Sequence, residues 1–102
     1  MHPIVVAKRE EVAALCRRLG VERLELFGSA ARDGFDVKRS DLDFIVRLPS
    51  DARRSPLDSY FDLKDALESM FGRPVDLVSE GSVRNPYVLR SIQRDRQRVY
   101  PA

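Results

Sequence analysis

Ser40-Asp41-Leu42-Asp43-Phe44-Ile45-Val46 is the stretch whose reading decides the fold. In an extended strand successive side chains point to opposite faces, so Asp41 and Asp43 share one face while Leu42, Phe44 and Val46 point into a core. Val75-Asp76-Leu77-Val78 repeats the pattern around a third acid. If the two strands are neighbours, Asp41, Asp43 and Asp76 emerge from the sheet face opposite its apolar side, a few ångströms apart. At roughly 5 Å and an effective dielectric of about 20, each like-charge pair costs on the order of 3 kcal/mol. A fold tolerates such a cluster mainly when a cation fills it.

Working outward, Leu24 to Phe27 reads as a strand entering a Gly28-Ser29 turn. Backbone N–H groups at such a turn can face an anion, glycine permits close approach, and the Ser29 hydroxyl can add a hydrogen bond to a phosphate oxygen. Gly-Ser is also one of the commonest turn dipeptides and carries little alone. A short helix from Ser29 to Arg32 and a polar loop through Asp33-Gly34 and Lys38-Arg39 follow. Upstream, Glu10 to Leu19 reads as an amphipathic helix with acids early, Arg17 and Arg18 late, and Gly20 as its stop. Val12, Leu15, Cys16 and Leu19 form its apolar face, which makes the single cysteine a packing residue. His2, the only histidine, falls in an expected frayed terminus and receives no role.

Downstream, the strand from Leu42 to Leu48 ends at Pro49, and a loop leads to Ser55-Pro56-Leu57-Asp58. That is a helix start, with Ser as N-cap, Pro at the first helical position and an acid three residues beyond the cap. The helix runs from Pro56 to Phe71, with Leu57, Tyr60, Phe61, Leu67, Met70 and Phe71 as its apolar stripe and Gly72 as its end. Pro74 to Val78 is the third strand. Asn85-Pro86 opens a last helix to about Arg94, and Arg98 to Tyr100 can add an edge strand. Strands separated by helical segments indicate an α/β (α+β) layer, a mixed sheet with helices on one face and the other left to the acids.

At 102 residues the chain is expected to be one domain, 1–102. Its apolar runs are far shorter than a membrane span, and Met1 to Ala7 lacks the length and basic start of a signal peptide, so a cytoplasmic location is expected. One cysteine excludes an internal disulfide and a cysteine-based zinc cage. The net charge of +2 conceals an asymmetry: Arg84, Arg90, Arg94, Arg96 and Arg98 face the lone acid Asp95. A solvated helix face, an acidic partner and a polyanion such as RNA each account for that basic end.

A Gly-Ser turn after one strand, Ser-Asp-x-Asp opening the next, and a third Asp among apolar residues together resemble the nucleotidyltransferases of the DNA polymerase β superfamily. The resemblance runs from about Leu24 to Val78. Chain size and the Asn-Pro-Tyr helix near the end are similar to the minimal nucleotidyltransferases, the MNT group, which act as antitoxins beside helical HEPN-domain partners. The resemblance implies a polymerase β-like fold with an open catalytic face. It implies Asp41 and Asp43 as holders of two Mg²⁺ ions, with Asp76 joining them at the ion that activates the attacking hydroxyl. It assigns Gly28 and Ser29 to the β- and γ-phosphates of ATP, with Ser40 at the opening of the acid motif. Arg32, matching the family's Gly-Ser-x-x-Arg, serves the triphosphate or an ion pair with Asp33 or Asp36. The chain departs from the pattern in one place, because Asp33 intervenes before Gly34 and lengthens the loop on which Arg32, Lys38 and Arg39 depend.

The activity so implied is Mg²⁺-dependent transfer of AMP from ATP onto a hydroxyl, a tyrosine of a HEPN-domain toxin, by a chain acting as the antitoxin. The sequence adds that one sheet covered on one side leaves little to wall in an acceptor. The alternative is a catalytically silent antitoxin that neutralises by contact, against which stand the intact Gly28, Ser29, Asp41, Asp43 and Asp76. No membrane contact and no direct nucleic-acid binding are expected.

Overall fold

The structure, a computed structural model, describes residues 1–31, 41–49 and 55–101. Chain order is α1 (Pro3–Ala7), α2 (Arg9–Leu19), β1 (Arg23–Phe27), a 3-10 turn (Gly28–Ala30), β2 (Leu42–Arg47), α3 (Pro56–Phe71), β3 (Val75–Ser79), α4 (Pro86–Asp95) and β4 (Gln97–Tyr100). The four strands form one mixed sheet in the order β3-β2-β1-β4. β1 pairs antiparallel with β2 and β4, whereas β2 and β3, joined through α3, run parallel. This is the mixed α/β arrangement expected from the sequence.

Alternation along β2 sorts its side chains as expected. Leu42, Phe44 and Val46 are buried, packed with Leu24 and Leu26 of β1, Val12 and Cys16 of α2, and Leu63, Leu67 and Phe71 of α3 in one core cluster. Each such side chain contributes about 1.5–3 kcal/mol by leaving water. Phe44 and Phe71 meet with ring centroids 6.2 Å apart. Burial pushes the Cys16 thiol up to about 12, so it stays protonated near neutral pH and serves only in packing.

Local signals set the helix ends. Gly20 and Gly72 close α2 and α3 in left-handed conformation. α3 begins at Pro56, but Ser55 caps with its backbone carbonyl, which accepts from the Ser59 N–H at 3.1 Å, rather than with its hydroxyl. The apolar stripe of α3 is shifted from the expected one: Ser59, Leu63, Leu67 and Phe71 are buried, while Leu57 and Phe61 are more than half and half exposed, at 62% and 50%. The terminus expected to fray instead forms α1. His2 caps it, its Nδ1 accepting from the Ile4 N–H at 3.1 Å, and its own N–H donates to Ala30 O at 2.8 Å.

α3 also holds the outer edge of β3. The Val75 N–H donates to Glu68 Oε2 at 3.0 Å, and the Tyr60 hydroxyl donates to Leu77 O at 2.5 Å. α4 takes a different position, with β1 and the 3-10 turn as its principal neighbours. Its Ile92 is buried outside the main core cluster, as is Ile45 on the acid-bearing side of β2. Both facts place α4 on the acid side of the sheet.

An ion network fastens that side. Arg96, between α4 and β4, donates from Nε and Nη2 to the two Glu25 oxygens at 2.9 and 2.5 Å, and from Nη2 to Glu80 at 3.1 Å. Arg23 joins Glu25 at 3.0 Å and Glu80 at 2.5 Å. The Arg23 hydrogen bond is the main cause that holds the Glu80 carboxyl below its ordinary range, burial opposing it and Arg96 adding to it. A carboxyl whose folded-state value is lowered stabilises the fold above the unfolded value, about 4.3, and loses that contribution as the pH falls through the folded value. Glu80→Gln is therefore expected to lower the melting temperature at pH 7, and to melt with a weaker dependence on pH than wild type between pH 6 and pH 3. Thermal melts of the two proteins across that window check this.

Candidate active site

Parallel pairing sets Asp43 of β2 directly beside Asp76 of β3, a separation of about 4.8 Å between neighbouring strands. On the other side of β2, Phe27, the last residue of β1, is the partner of Asp43. Both acids occupy the second position of their strands and therefore the same end of the sheet, where β1 gives way to the Gly28–Ala30 turn. Asp43 is half-buried and Asp76 exposed; Asp41, also exposed, immediately precedes β2. The acids thus stand at the mouth of the sheet, reached from solvent, with the core directly behind them.

Gly28 is part of the same construction. Its φ is +73°, a region that favours glycine, and a Cβ placed there would run into the Asp43 carboxylate. The turn and the acid are therefore in close contact, and a side chain at this position would have to push the Asp43 carboxylate aside on a backbone that favours glycine. The sequence suggested glycine for close approach of a phosphate; the structure adds that its first close neighbour is Asp43. Ser29 lies in the turn, and its side chain is outside the described residues, as are Arg32, Ser40 and the loop carrying Asp33, Asp36, Lys38 and Arg39.

The described side chains hold no group of three or more His, Cys, Asp or Glu arranged to grip a metal ion unaided. What they hold is an adjacent pair of hard oxygen donors, Asp43 and Asp76, with Asp41 at the head of the strand. That donor chemistry suits Mg²⁺, which keeps several waters and is bound through a few carboxylates together with substrate phosphates. A preformed protein cage is not what such an ion requires.

Sequence reasoning missed two further carboxylates, Glu25 in the middle of β1 and Glu80 just past the end of β3. Glu25 and Glu80 are matched by Arg23 and Arg96 within the fold, at the distances above, so they are spent on structure. The signal for part of this was present, since Arg23 and Glu25 are two apart on one strand and hence on one face; the partners from β3 and the α4–β4 junction were not inferable locally. A groove of about 990 Å³ opens at the far end of the sheet, lined by Leu48, Pro49, Pro56, Leu57, Tyr60 and Val78 among others. It lies at the ends of β2 and β3 opposite to Asp43 and Asp76, and its own carboxylates, Glu22 and Glu80, are paired with Arg47 and with Arg23 and Arg96.

Residues 9–99 match the family described as nucleotidyltransferase domain. The chain belongs to that family. It is 39% identical over 75 residues, 74% of this chain and 73% of the relative, to a protein of Methanocaldococcus jannaschii that bears the provisional name protein adenylyltransferase. A second protein of that organism with the same provisional name is 32% identical over 87 residues, 85% of each. Among solved structures, a protein provisionally described as a minimal nucleotidyltransferase superposes with TM-score 0.74 at 36% identity, covering 95% of both chains. A Shewanella oneidensis complex of a tri-AMPylated HEPN toxin with an MNT antitoxin contains a match with TM-score 0.64 at 18% identity, covering 96% of this chain and 73% of that one. At that identity the likeness is one of fold. This nucleotidyltransferase is thus MNT-like in family and architecture, and no helix among its described residues is long and apolar enough to cross a membrane.

Two neighbouring substitutions separate chemistry from folding. Asp43→Asn keeps the side chain's shape and removes one negative charge from the pair, so nucleotidyl transfer is expected to be lost while the melting temperature stays within a few degrees of wild type. Leu42→Asp puts a charge where the side chain is fully buried, at a cost of several kcal/mol, and is expected to prevent folding. Thermal melts and transfer of labelled nucleotide, read on both variants, check the pair; retained transfer in Asp43→Asn removes Asp43 from the chemistry.

Proposed function

We propose that this nucleotidyltransferase transfers AMP from ATP to a tyrosine hydroxyl of a HEPN-domain toxin, and so acts as its antitoxin. The observation that carries the reading is the side-by-side placement of Asp43 and Asp76 at the sheet end where the Gly28 turn packs against the Asp43 carboxylate. Membership in the nucleotidyltransferase family supports a nucleoside triphosphate as substrate and a divalent cation at the acids. The names of the Methanocaldococcus relatives support a protein as acceptor, and the AMPylated HEPN toxin in the Shewanella complex supports the partner class.

In this reading Asp41, Asp43 and Asp76 would hold two Mg²⁺ ions, which when bound would supply charge stabilisation for the transfer at the α-phosphorus. Gly28 and Ser29 receive the β- and γ-phosphates, with Arg32 and Ser40 on the triphosphate side. The tyrosine oxygen bonds to the α-phosphorus as the bond to the bridging oxygen of the β-phosphate breaks; the tyrosine proton passes to solvent and pyrophosphate leaves. The protein's part is placement. In-line attack needs the acceptor oxygen about 3 Å from phosphorus, and carboxylates mounted on two paired strands hold their ligands more rigidly than residues on loops would.

Incubation with the HEPN-domain protein encoded alongside this chain, ATP and Mg²⁺ is expected to add AMP mass to that partner, and the Asp41→Asn/Asp43→Asn double variant to add none. Intact-mass spectrometry provides the measurement. If the double variant protects cells from the partner as fully as wild type, neutralisation is by contact and the transfer reaction is not the basis of protection.

A further inference from the structure

Just past the Gly28 turn, two successive carbonyls are held by donors that come from distant parts of the chain. The His2 N–H donates to Ala30 O at 2.8 Å, and Gln97 Nε2 donates to Ala31 O at 3.3 Å. The Ala31 N–H closes the turn on Gly28 O at 3.1 Å. The peptide unit that joins Ala30 to Ala31 is therefore bonded at both its oxygen and its nitrogen, and because a peptide unit is planar its orientation is fixed. Gln97 extends that hold by one unit, to the carbonyl after which the sequence goes on to Arg32.

An amide is out of keeping with its place here. Gln97 opens β4 opposite Leu26, and alternation puts its side chain on the same face as Val99, which like Leu26 is fully buried in the core cluster. Its Oε1 is buried, and no described donor reaches it. A buried polar atom without a partner destabilises a fold, and a single neutral bond at 3.3 Å, longer than most, offsets no more than that. A methionine at the same position would pack apolar surface beside Leu26 and Val99 and carry neither effect. The amide therefore adds little to stability, and what it does add is a fixed direction for the Ala31 carbonyl.

We propose that Gln97 is a positioning residue for the Gly28-Ser29 turn, holding it from the core side in the orientation in which it receives the phosphates of ATP. The proposal rests on the assignment of Gly28 and Ser29 to the β- and γ-phosphates, and goes beyond it in naming a residue outside the turn and the acid motif on which triphosphate affinity depends. At its other end the turn meets the Asp43 carboxylate through Gly28, so it is held between Asp43 on one side and His2 and Gln97 on the other. A turn already fixed in the binding orientation loses less entropy when the ligand arrives. Gln97 acts through the turn and not by contact with the nucleotide.

Titration calorimetry of the full chain with ATP and Mg²⁺, beside thermal melts without ligand, tests this. Gln97→Met, which nearly keeps the length and removes the amide, is expected to weaken ATP binding about fivefold, as the loss of one ordinary hydrogen bond does, while its melting temperature equals or exceeds that of wild type. Val99→Ala, two residues along the same face of β4, is expected to do the reverse, melting several degrees lower and binding ATP within twofold of wild type. ATP affinity of Gln97→Met within twofold of wild type overturns the proposal. So does a Gln97→Met chain that melts several degrees below wild type or does not fold, since the amide then serves the fold, and so does an equal loss of ATP affinity in Val99→Ala. If wild type itself does not bind ATP with Mg²⁺, the phosphate assignment falls and takes the role of Gln97 with it. If binding behaves as expected but no AMP reaches the partner, the proposed reaction falls and the positioning role stands.

Discussion

Everything at the acid end depends on the register of β2 against β3. Because side chains alternate along a strand, a slip of one residue would carry Asp76 to the core side and turn Leu77 out to water. Among the described residues β3 is the outermost strand, with a sheet neighbour on one side, so pairing with β2 is the described ladder that fixes it. α3 supplies the missing constraint through Glu68 on the Val75 N–H and Tyr60 on the Leu77 carbonyl. These bonds also cover outward-facing backbone groups of β3 that would otherwise invite another strand. Placement of Asp76 is therefore the work of a helix that carries no residue of the acid group itself.

Two carboxylates of the same side are built into the fold by their partners. Glu25 and Glu80 lie between the guanidinium groups of Arg23 and Arg96, where each acid has more than one charged hydrogen bond. Arg96 shows the converse effect, its guanidinium held more firmly protonated chiefly by the Glu25 hydrogen bond. Charge-assisted bonds that are partly withdrawn from water bind more strongly than exposed surface pairs. The network ties β1, the end of β3 and the α4–β4 junction together across the sheet, and so holds α4 over the acid side.

How much of this the sequence disclosed follows from the range of each interaction. α3 was legible from Pro56 to Phe71 because its start and stop signals, Ser55-Pro56 and Gly72, act within one turn. The strands were legible to within a residue or so because alternation around Asp43 and Asp76 is local. The phase of the α3 stripe was not, since Leu57 and Phe61 carry the same helical spacing as the buried set and only the sheet decides which face is covered. α1 was missed for a similar reason: five residues are too few to hold a helix by themselves, and this one is anchored by the bond from the His2 N–H to Ala30 O. The side of the sheet that α4 takes depends on Ile92 and on ion pairs up to 71 residues apart in sequence, which no window of sequence contains.

Within the site, the Asp43–Asp76 pair was readable because it needs only alternation and adjacency. The tight fit of Gly28 was readable in kind but not in cause. A glycine after a strand suggests a close approach, and the neighbour turns out to be the Asp43 carboxylate. That contact joins two parts of the site that the sequence presents separately, a turn suited to phosphates and an acid suited to a cation. A methyl group at Gly28 would have to push the Asp43 carboxylate aside, on a backbone whose φ of +73° already disfavours a side chain. One missing side chain thus lets the turn and the acid lie against each other at the same end of the sheet.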